Sequence, residues 1–236
     1  MPVVLAMEWF ARAARAARPT LRFVACEDIK VLKGISLSSF EAGEGFKVLV
    51  DQVSNGDGAV LRLELRSLSG TRHYCAKALM AAPQAPLAAL ERGSSLDSAE
   101  SWQGPVYGDV LFHGPALQVI EDVTGVSDEG IAARLLGTAG RGWREEPWHT
   151  DVAAMDGGLQ LALLWAQRRL GGASLPTAVG SYRGTGELPV GPIQVVLKGR
   201  VVGKSKTVSD IVFTTSDGRP IARLEGVETH LLPKSL

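Results

Sequence analysis

The chain has 236 residues, 45% of them hydrophobic, and its 25 basic and 25 acidic side chains leave no formal net charge. This length and apolar content are enough for one large domain or two small ones with a substantial core. Basic side chains do not outnumber acidic ones, which argues against nucleic acid as the main partner. No apolar run reaches the roughly 18 residues of a membrane span. Cys26 and Cys75 show no CxxC spacing and cannot form a zinc site alone, which fits a reduced, cytoplasmic protein.

The chain begins with an amphipathic stretch, MPVVLAMEWFARAARAARP, which predicts a helix over 3–17. Glu8 and Arg12 form an i,i+4 pair on its polar side. Its arginines follow the apolar residues instead of preceding them, which disfavours a signal peptide. An apolar stripe at steps of three and four runs along the other side, formed by Val3, Met7, Phe10, Ala14 and Ala17.

The remaining chain repeats one pattern, a helix followed by four strands. The helix over 3–17 precedes segments with strand-like composition and alternation, at 29–37, 46–53, 59–67 and 72–80. A second predicted helix, 152–170, precedes four more, at 176–184, 192–202, 206–216 and 220–232. Sequences typical of hairpin turns separate neighbouring strands, namely Asn55-Gly56-Asp57-Gly58 and Asp217-Gly218.

An apolar helix followed by a meander of strands is typical of the hotdog arrangement, in which a sheet wraps around a helix. Two copies predict an α+β double hotdog with two antiparallel sheets. The predicted division is an N-terminal hotdog half at 1–81, a linker at 82–104 and a C-terminal hotdog half at 105–236. Only the second helix is preceded by its own strand-like segment, 116–137, so the N-terminal half is expected to lack opening strands and to leave a sheet edge unpaired.

The start of the second helix, MDGGLQLALLW at 155–165, contains residues that burial alone does not require. Asp156 is followed by Gly157 and Gly158, each of which costs a helix about 1 kcal/mol relative to Ala. Gln160 shares a helix face with Asp156. The residues alone leave two interpretations. Asp156 is either a helix cap, with the two glycines in a loop, or an acid held in an apolar pocket.

Three stretches together resemble the dehydratase domains of polyketide synthases, especially those of iterative and polyunsaturated fatty acid synthases. FHGPALQVIEDV (112–123) is similar to the family's GPxxQ segment, MDGGLQLALLW to its DxxxQ motif, and PVVLAMEWFARAA (2–14) to its first hotdog helix. The resemblance covers nearly all of the chain. It implies removal of water from a 3-hydroxyacyl chain on an acyl carrier protein, which gives a trans-2-enoyl thioester.

The resemblance also implies roles for single residues. Asp156 would protonate the departing hydroxyl group and Gln160 would orient that acid. The family's base, a His in an HxxxGxxxxP motif whose last residue matches Pro2, would lie about nine residues before Pro2 and outside this sequence. We therefore expect residues 1–236 to be inactive alone, with His113 as the first candidate base if they are active. The substrate tunnel would be shaped by His113, Gly114, Pro115, Gln118, Gly157 and Gly158.

The implied partners are an acyl carrier protein, whose phosphopantetheine carries the substrate, and neighbouring megasynthase domains. No metal or redox cofactor is implied, since an acid and a base suffice, and the other histidines show no metal spacing and are interpreted as structural. Pairing with a second copy stays open, as do two other functions: a non-catalytic scaffold or acyl-chain-binding domain, and a cyclase or isomerase. Three arginines of the first helix would form a solvated face or dock an acidic carrier protein: Arg12, Arg15 and Arg18.

Overall fold

The structure, a computed structural model, describes residues 1–37, 41, 43–55, 58–86, 89–91, 93, 95–108, 110–143 and 147–233. The first half of the described chain contains α1 (Val3–Ala17), β1 (Arg22–Val31), β2 (Phe46–Asn55), β3 (Gly58–Ser67) and β4 (Arg72–Ala81). A short 3-10 turn (Pro115–Leu117) leads into the second half. This half contains β5 (Ile120–Ser127), β6 (Gly130–Leu135), α2 (Val152–Leu170), β7 (Ser174–Gly184), β8 (Ile193–Val202), β9 (Lys206–Thr214) and β10 (Pro220–Leu231).

All of these strands belong to one antiparallel sheet with the order β2-β3-β4-β1-β7-β10-β9-β8-β6-β5. The two halves join where β1 pairs with β7, and Cys26 lies opposite Tyr182 at this junction. The sheet wraps around both helices: α1 contacts β1 to β4, and α2 contacts β6 to β10. The α+β double hotdog is therefore confirmed, and its two predicted sheets are the two halves of one continuous sheet.

The strand order also shows the predicted repeat. The order β2-β3-β4-β1 around α1 corresponds to β8-β9-β10-β7 around α2. In the second half, β6 and β5 continue the sheet beyond β8. Among the described strands, β2 has only β3 as a neighbour, so the unpaired edge lies where the sequence pattern predicts it.

One predicted strand position was wrong. The first strand spans Arg22–Val31 and not 29–37, because Asp28 has a φ of 53° and the register against β4 shifts around it, which interrupts the alternation. The segment 116–137 contains two strands, β5 and β6, joined as a hairpin. The hairpin between β2 and β3 is present, although Gly56 and Asp57 of its predicted turn lie outside the described residues.

The division at 1–81 and 105–236 stays a prediction, because β1 and β7 join the halves in one sheet. The described part of 82–104 contains no helix or strand and packs back onto the fold. Arg22 donates a hydrogen bond to the carbonyl of Ala85, and Glu100 forms a bridge with Val126. None of the described helices is long and apolar enough to cross a membrane.

More residues of α1 are buried than its apolar stripe predicts. Val4, Ala6 and Ala11 are buried beside the stripe, and Glu8, expected on the polar side, is only 1% exposed. A helix surrounded by a sheet retains little solvated surface, so a polar residue on it must find protein partners. Each helix arginine donates a hydrogen bond within the chain, Arg12 to Glu8, Arg15 to the Leu21 carbonyl and Arg18 to the Ala17 carbonyl.

Candidate active site

The N-terminus of α2 is capped by Asp151. One oxygen of its side chain, Oδ1, accepts hydrogen bonds from the Ala154 amide at 2.9 Å and from the amide and hydroxyl of Thr138, both at 2.8 Å. Asp156 lies in the second turn of α2 and its side chain takes no part in the cap. The interpretation of Asp156 as a helix cap was therefore wrong, and its carboxyl group is free for another role.

Gly157 and Gly158 allow the sheet to approach α2 closely. A Cβ atom on Gly157 would lie 2.7 Å from Leu135 Cδ2 and 2.8 Å from Val119 Cγ2, and one on Gly158 would lie 2.5 Å from Phe213 Cζ. Neither glycine lines the cavity beside Asp156. Their place in the substrate tunnel stays a prediction, and the contact that their missing side chains allow is with the core.

A cavity of about 390 Å³ lies between the two halves of the fold. One wall comes from the first half, including Pro2, Val31 and Tyr74, and the other comes from α2, the start of β7 and the loop before β5. The walls are mostly apolar, and Asp156 and Gln160 bring polar side chains to the α2 wall. An apolar cavity with a few convergent polar groups is typical of a small-molecule site.

Gln160 is fixed in orientation by three neighbours. Its Nε2 donates to Asp156 Oδ2 and to the Leu117 carbonyl, both at 2.7 Å. Its Oε1 accepts from the Tyr107 hydroxyl at 3.0 Å, and that hydroxyl accepts from the Ile120 amide at 2.8 Å. The amide is thus held with its N–H groups towards Asp156. Sequence analysis missed Tyr107, because it belongs to no motif and precedes Gln160 by 53 residues.

His113 lies beside the same carboxyl group. Its Nε2 is 3.8 Å from Asp156 Oδ2, and its side chain is 13% exposed. The ring stacks on Phe112 with centroids 5.3 Å apart and planes inclined by 14°. Gln118 Nε2 donates to the His113 carbonyl at 2.9 Å. Among the described residues, His113 Nδ1 has no hydrogen-bond partner.

Electrostatics favour the protonated form of Asp156. Burial raises the pKa of its carboxyl group, whereas the hydrogen bond from Gln160 and the charge of His113 act in the opposite direction and only partly offset burial. Asp156 is 4% exposed, so little solvent stabilises its anion. Burial also raises the pKa of the Tyr107 hydroxyl, which keeps it a donor towards Gln160. The raised pKa brings the Asp156 carboxyl group closer to the range in which a general acid works near neutral pH.

The predicted site residues divide into two groups. Asp156, Gln160, His113 and Gly114 line the cavity. Pro115 and Gln118 do not line it, and they support the loop from outside. Pro115 begins the 3-10 turn and its carbonyl accepts a hydrogen bond from Arg141 at 2.9 Å.

Another buried acidic side chain, Glu8, connects the two halves. It accepts hydrogen bonds from the His149 amide at 3.1 Å, from the Thr150 amide at 3.0 Å and from the Thr150 hydroxyl at 2.8 Å. Arg12 Nε donates to it at 2.8 Å. Sequence analysis missed this role, because Glu8 and Thr150 are 142 residues apart and Glu8 was assigned to the exposed side of α1.

The other histidines form structural contacts. His73 Nδ1 lies 3.0 Å from the Lys33 carbonyl, and His230 Nδ1 lies 2.8 Å from the Thr177 hydroxyl. Within the described ranges, no group of three or more His, Cys, Asp or Glu side chains is placed to hold a metal ion.

Relatives share both the sequence and the fold. The chain is 26% identical over 190 residues to a polyunsaturated fatty acid synthase subunit from Thraustochytrium sp. (strain ATCC 26185 / S-3), and the match covers 76% of this chain and only 7% of that protein. It is similar in fold to the dehydratase domain of the polyketide PpsC from Mycobacterium tuberculosis, with a TM-score of 0.75, 19% identity and coverage of 99% and 84% of the two chains. A trans-acyltransferase polyketide synthase enoyl-isomerase gives a TM-score of 0.67 at 11% identity, over 96% and 88% of the two chains.

The profile described as the polyketide synthase dehydratase N-terminal domain matches residues 81–235, about two thirds of the chain. The match includes the loop with His113 and the whole of α2 with Asp156 and Gln160. The stretch 2–14, compared above with the first hotdog helix, lies outside the match, although α1 occupies the expected place in the fold. The chain therefore belongs to the polyketide synthase dehydratase family.

Proposed function

We propose that the chain acts as a dehydratase-type lyase within a polyketide or polyunsaturated fatty acid synthase. It removes water from a 3-hydroxyacyl chain on an acyl carrier protein and releases the 2-enoyl thioester. The observation that carries this proposal is Asp156, a buried carboxylic acid that is oriented by Gln160 and faces an apolar cavity. Such an acid can protonate a hydroxyl group that leaves from an acyl chain bound in that cavity.

The proposed elimination needs an acid, a base and a place for the acyl chain. Asp156 is the acid, Gln160 holds it, and the apolar walls bind the chain and limit access of water. The substrate arrives on the phosphopantetheine arm of the carrier protein, so the carrier and neighbouring synthase domains are the proposed partners and the cytoplasm is the proposed location. This assignment is supported by the relation to a much longer synthase polypeptide, of which the chain matches 7%.

The test uses residues 1–236 preceded by the HxxxGxxxxP segment that the resemblance implies. It measures turnover of a 3-hydroxyacyl-pantetheine thioester from the ultraviolet absorbance of the conjugated product and by mass spectrometry. Asp156→Asn keeps the size of the side chain but removes the transferable proton, so kcat should fall by roughly 10²–10⁴ with little change in KM. Gln160→Ala should cost less, because it only orients the acid. The matched control is Asp97→Asn, which changes an exposed aspartate outside the cavity.

Each competing function gives a different result in the same assay. A product with the mass of the substrate would indicate an isomerase or a cyclase, and binding without turnover would indicate a scaffold that holds acyl chains. Near-normal turnover by Asp156→Asn, with the protein still folded, would show that the acid lies elsewhere.

A further inference from the structure

We infer that Tyr107 is a positioning residue that makes Asp156 a stronger acid. Its hydroxyl group orients the side-chain amide of Gln160, and that amide donates a hydrogen bond to the Asp156 carboxyl group. The hydrogen bonds involved are a property of the folded chain and do not depend on which base completes the site. Only the effect on turnover rests on the proposed dehydratase function.

Two backbone groups fix the direction of these hydrogen bonds. The Ile120 amide can only donate, and it does so to the Tyr107 oxygen at 2.8 Å. A hydroxyl group has a single proton, so Tyr107 donates it to Gln160 Oε1 at 3.0 Å. At the other end the Leu117 carbonyl can only accept, and it accepts from Gln160 Nε2 at 2.7 Å. The same NH₂ group donates to Asp156 Oδ2 at 2.7 Å, so the chain of hydrogen bonds that begins at Ile120 ends with a donor at the carboxyl group.

A donor in this place strengthens the acid. An N–H group that faces a carboxyl oxygen stabilises the carboxylate, whereas an amide oxygen in the same place would accept the proton of the acid and stabilise the neutral form. Burial raises the pKa of Asp156, and the hydrogen bond from Gln160 is the larger of the two effects that lower it, the other being the charge of His113. The orientation of the Gln160 amide therefore determines how readily Asp156 releases its proton.

Tyr107 supplies what the Leu117 carbonyl cannot. Leu117 contacts the NH₂ end of the Gln160 amide, and Tyr107 contacts its oxygen. Gln160 is only 1% exposed, so loss of the Tyr107 hydroxyl group would leave that oxygen as a buried acceptor. Hydrogen bonds in a chain polarise one another, so loss of the donor at Oε1 also weakens the N–H groups as donors. A weaker donor or a rotated amide would then face Asp156, and both make it a weaker acid.

Tyr107 acts as a neutral dipole, so its effect can be tested without a change in the charges of the site. Burial raises the pKa of its hydroxyl group, and hydrogen bonds with the backbone and the charge of Arg141 offset only part of this. Among the described residues, two other titratable side chains line the cavity with Asp156. His113 has its Nε2 3.8 Å from Asp156 Oδ2, and the Tyr74 hydroxyl donates to a backbone carbonyl. Tyr107→Phe changes neither of them.

The decisive experiment measures the pKa of Asp156 in residues 1–236. Carbon-13 NMR of aspartate-labelled protein follows each carboxyl group with pH, and Asp156→Asn identifies the Asp156 signal by its loss. Tyr107→Phe keeps the ring and removes the hydroxyl group, and we expect it to raise the pKa of Asp156. The matched control is Tyr182→Phe, which removes a buried tyrosine hydroxyl group outside the cavity and should leave that pKa unchanged.

A double-mutant cycle tests whether Tyr107 acts through Gln160. Gln160→Ala removes the donor and should also raise the pKa of Asp156. In the Gln160→Ala background, Tyr107→Phe should cause no further shift, because the amide that connects the two residues is gone. Site-specific replacement of Tyr107 by 3-fluorotyrosine tests the same connection without loss of a hydrogen bond. Its hydroxyl group is a stronger donor, so the pKa of Asp156 should fall, and this replacement decides the question if Tyr107→Phe does not fold.

The protein of the activity test measures the consequence for turnover. Tyr107→Phe should lower kcat by roughly 10-fold, less than the roughly 10²–10⁴-fold expected for loss of the acid itself. The alkaline limb of the pH–rate profile, where Asp156 loses its proton, should shift to higher pH. Loss of a merely structural contact would lower kcat without this shift. Tyr182→Phe should retain both the kcat and the position of the limb.

An unchanged pKa of Asp156 in folded Tyr107→Phe, or a further shift in the Gln160→Ala background, would overturn the role of Tyr107. If the wild type dehydrates the substrate in that case, the proposed function stands without it. If the pKa shifts as expected but neither the wild type nor any variant dehydrates the substrate, the proposed function fails and Tyr107 remains a positioning residue for Asp156.

Discussion

At the scale of single residues, the folded site favours the protonated form of the Asp156 carboxyl group more than the unfolded chain does. Its carboxyl group lies in the second turn of a buried helix, with Gln160 and His113 as polar neighbours. Burial outweighs both neighbours and raises the pKa of the carboxyl group. Burial thus makes Asp156 a better proton donor near neutral pH. Burial of this ionisable carboxyl group also costs folding free energy at neutral pH.

Asp156→Asn should therefore stabilise the fold in a pH-dependent way. Because the folded-state pKa of Asp156 lies above the unfolded value of about 3.9, its contribution to stability is fully present below that value and is lost as the pH rises through the folded pKa. Asn does not titrate, so the Tm of the variant relative to the wild type should increase from pH 4 to pH 8. Thermal unfolding of both proteins across this range measures the difference.

Asp97→Asn, at an exposed position, is the control for this experiment and should show a much smaller trend. A constant difference in Tm between Asp156→Asn and the wild type would contradict a raised pKa at Asp156. Loss of kcat together with a gain in Tm would separate a catalytic role from a structural one, since loss of a structural contact lowers both.

At the scale of elements, α2 is built for enclosure by the sheet. Val119 and Leu135 occupy the space where Gly157 would carry a Cβ, and Phe213 occupies the space at Gly158. The usual cost of glycine in a helix is offset here by closer contact between helix and sheet. That contact fixes the depth at which α2 lies in the sheet, and with it the position of Asp156 and Gln160 at the cavity.

Gly158→Ala should destabilise the protein, although the same change in an exposed helix stabilises it by about 1 kcal/mol. The new Cβ would lie 2.5 Å from Cζ of Phe213, which is 1% exposed and has little room to move. Overpacking of this kind costs roughly 1–3 kcal/mol. Urea unfolding measures the change, and Phe213→Leu in the same chain should recover part of it. A Gly158→Ala variant more stable than the wild type would show that α2 and the sheet are not in close contact there.

At the scale of the whole molecule, two contacts among the described residues help to hold the halves together, and the cavity lies between those halves. One is the pairing of β1 with β7 at the centre of the sheet. The other is Glu8 of α1, whose carboxylate accepts hydrogen bonds from the backbone just before α2. Residues of both halves line the cavity, so its shape depends on how these connections fix one half against the other.

Glu8→Gln tests the second connection. The glutamine side chain has one acceptor oxygen, and its NH₂ group would meet donors such as the Thr150 amide. Leaving buried donors unsatisfied costs about 1–3 kcal/mol each, so Tm should fall. Amide hydrogen exchange at His149 and Thr150 should become faster, because opening of this segment becomes easier. Glu129→Gln, at an exposed position, is the control. Unchanged exchange at His149 and Thr150 would show that Glu8 does not secure this junction.

The sequence determined those features of this protein that depend on local order along the chain. The apolar stripes predicted both helices with their observed bounds, and the repeated helix-and-strand pattern predicted the double hotdog and its free edge. Motif spacing selected Asp156 and Gln160, because residues four apart on a helix are neighbours whatever surrounds them. The first strand was misplaced where a positive φ at Asp28 breaks the alternation, since a periodic pattern does not reveal a single irregular residue.

Only the tertiary structure decided which distant residues meet. It placed His113 within 3.8 Å of Asp156, Tyr107 on Gln160, and Glu8 against Thr150, pairs separated by 43 to 142 residues in the chain. It also shows that Asp151 and not Asp156 caps α2, and that the glycines of α2 pack against core side chains. Such contacts depend on how the sheet closes around the two helices. Burial and long-range proximity arise from that closure, and no periodicity within one segment encodes them.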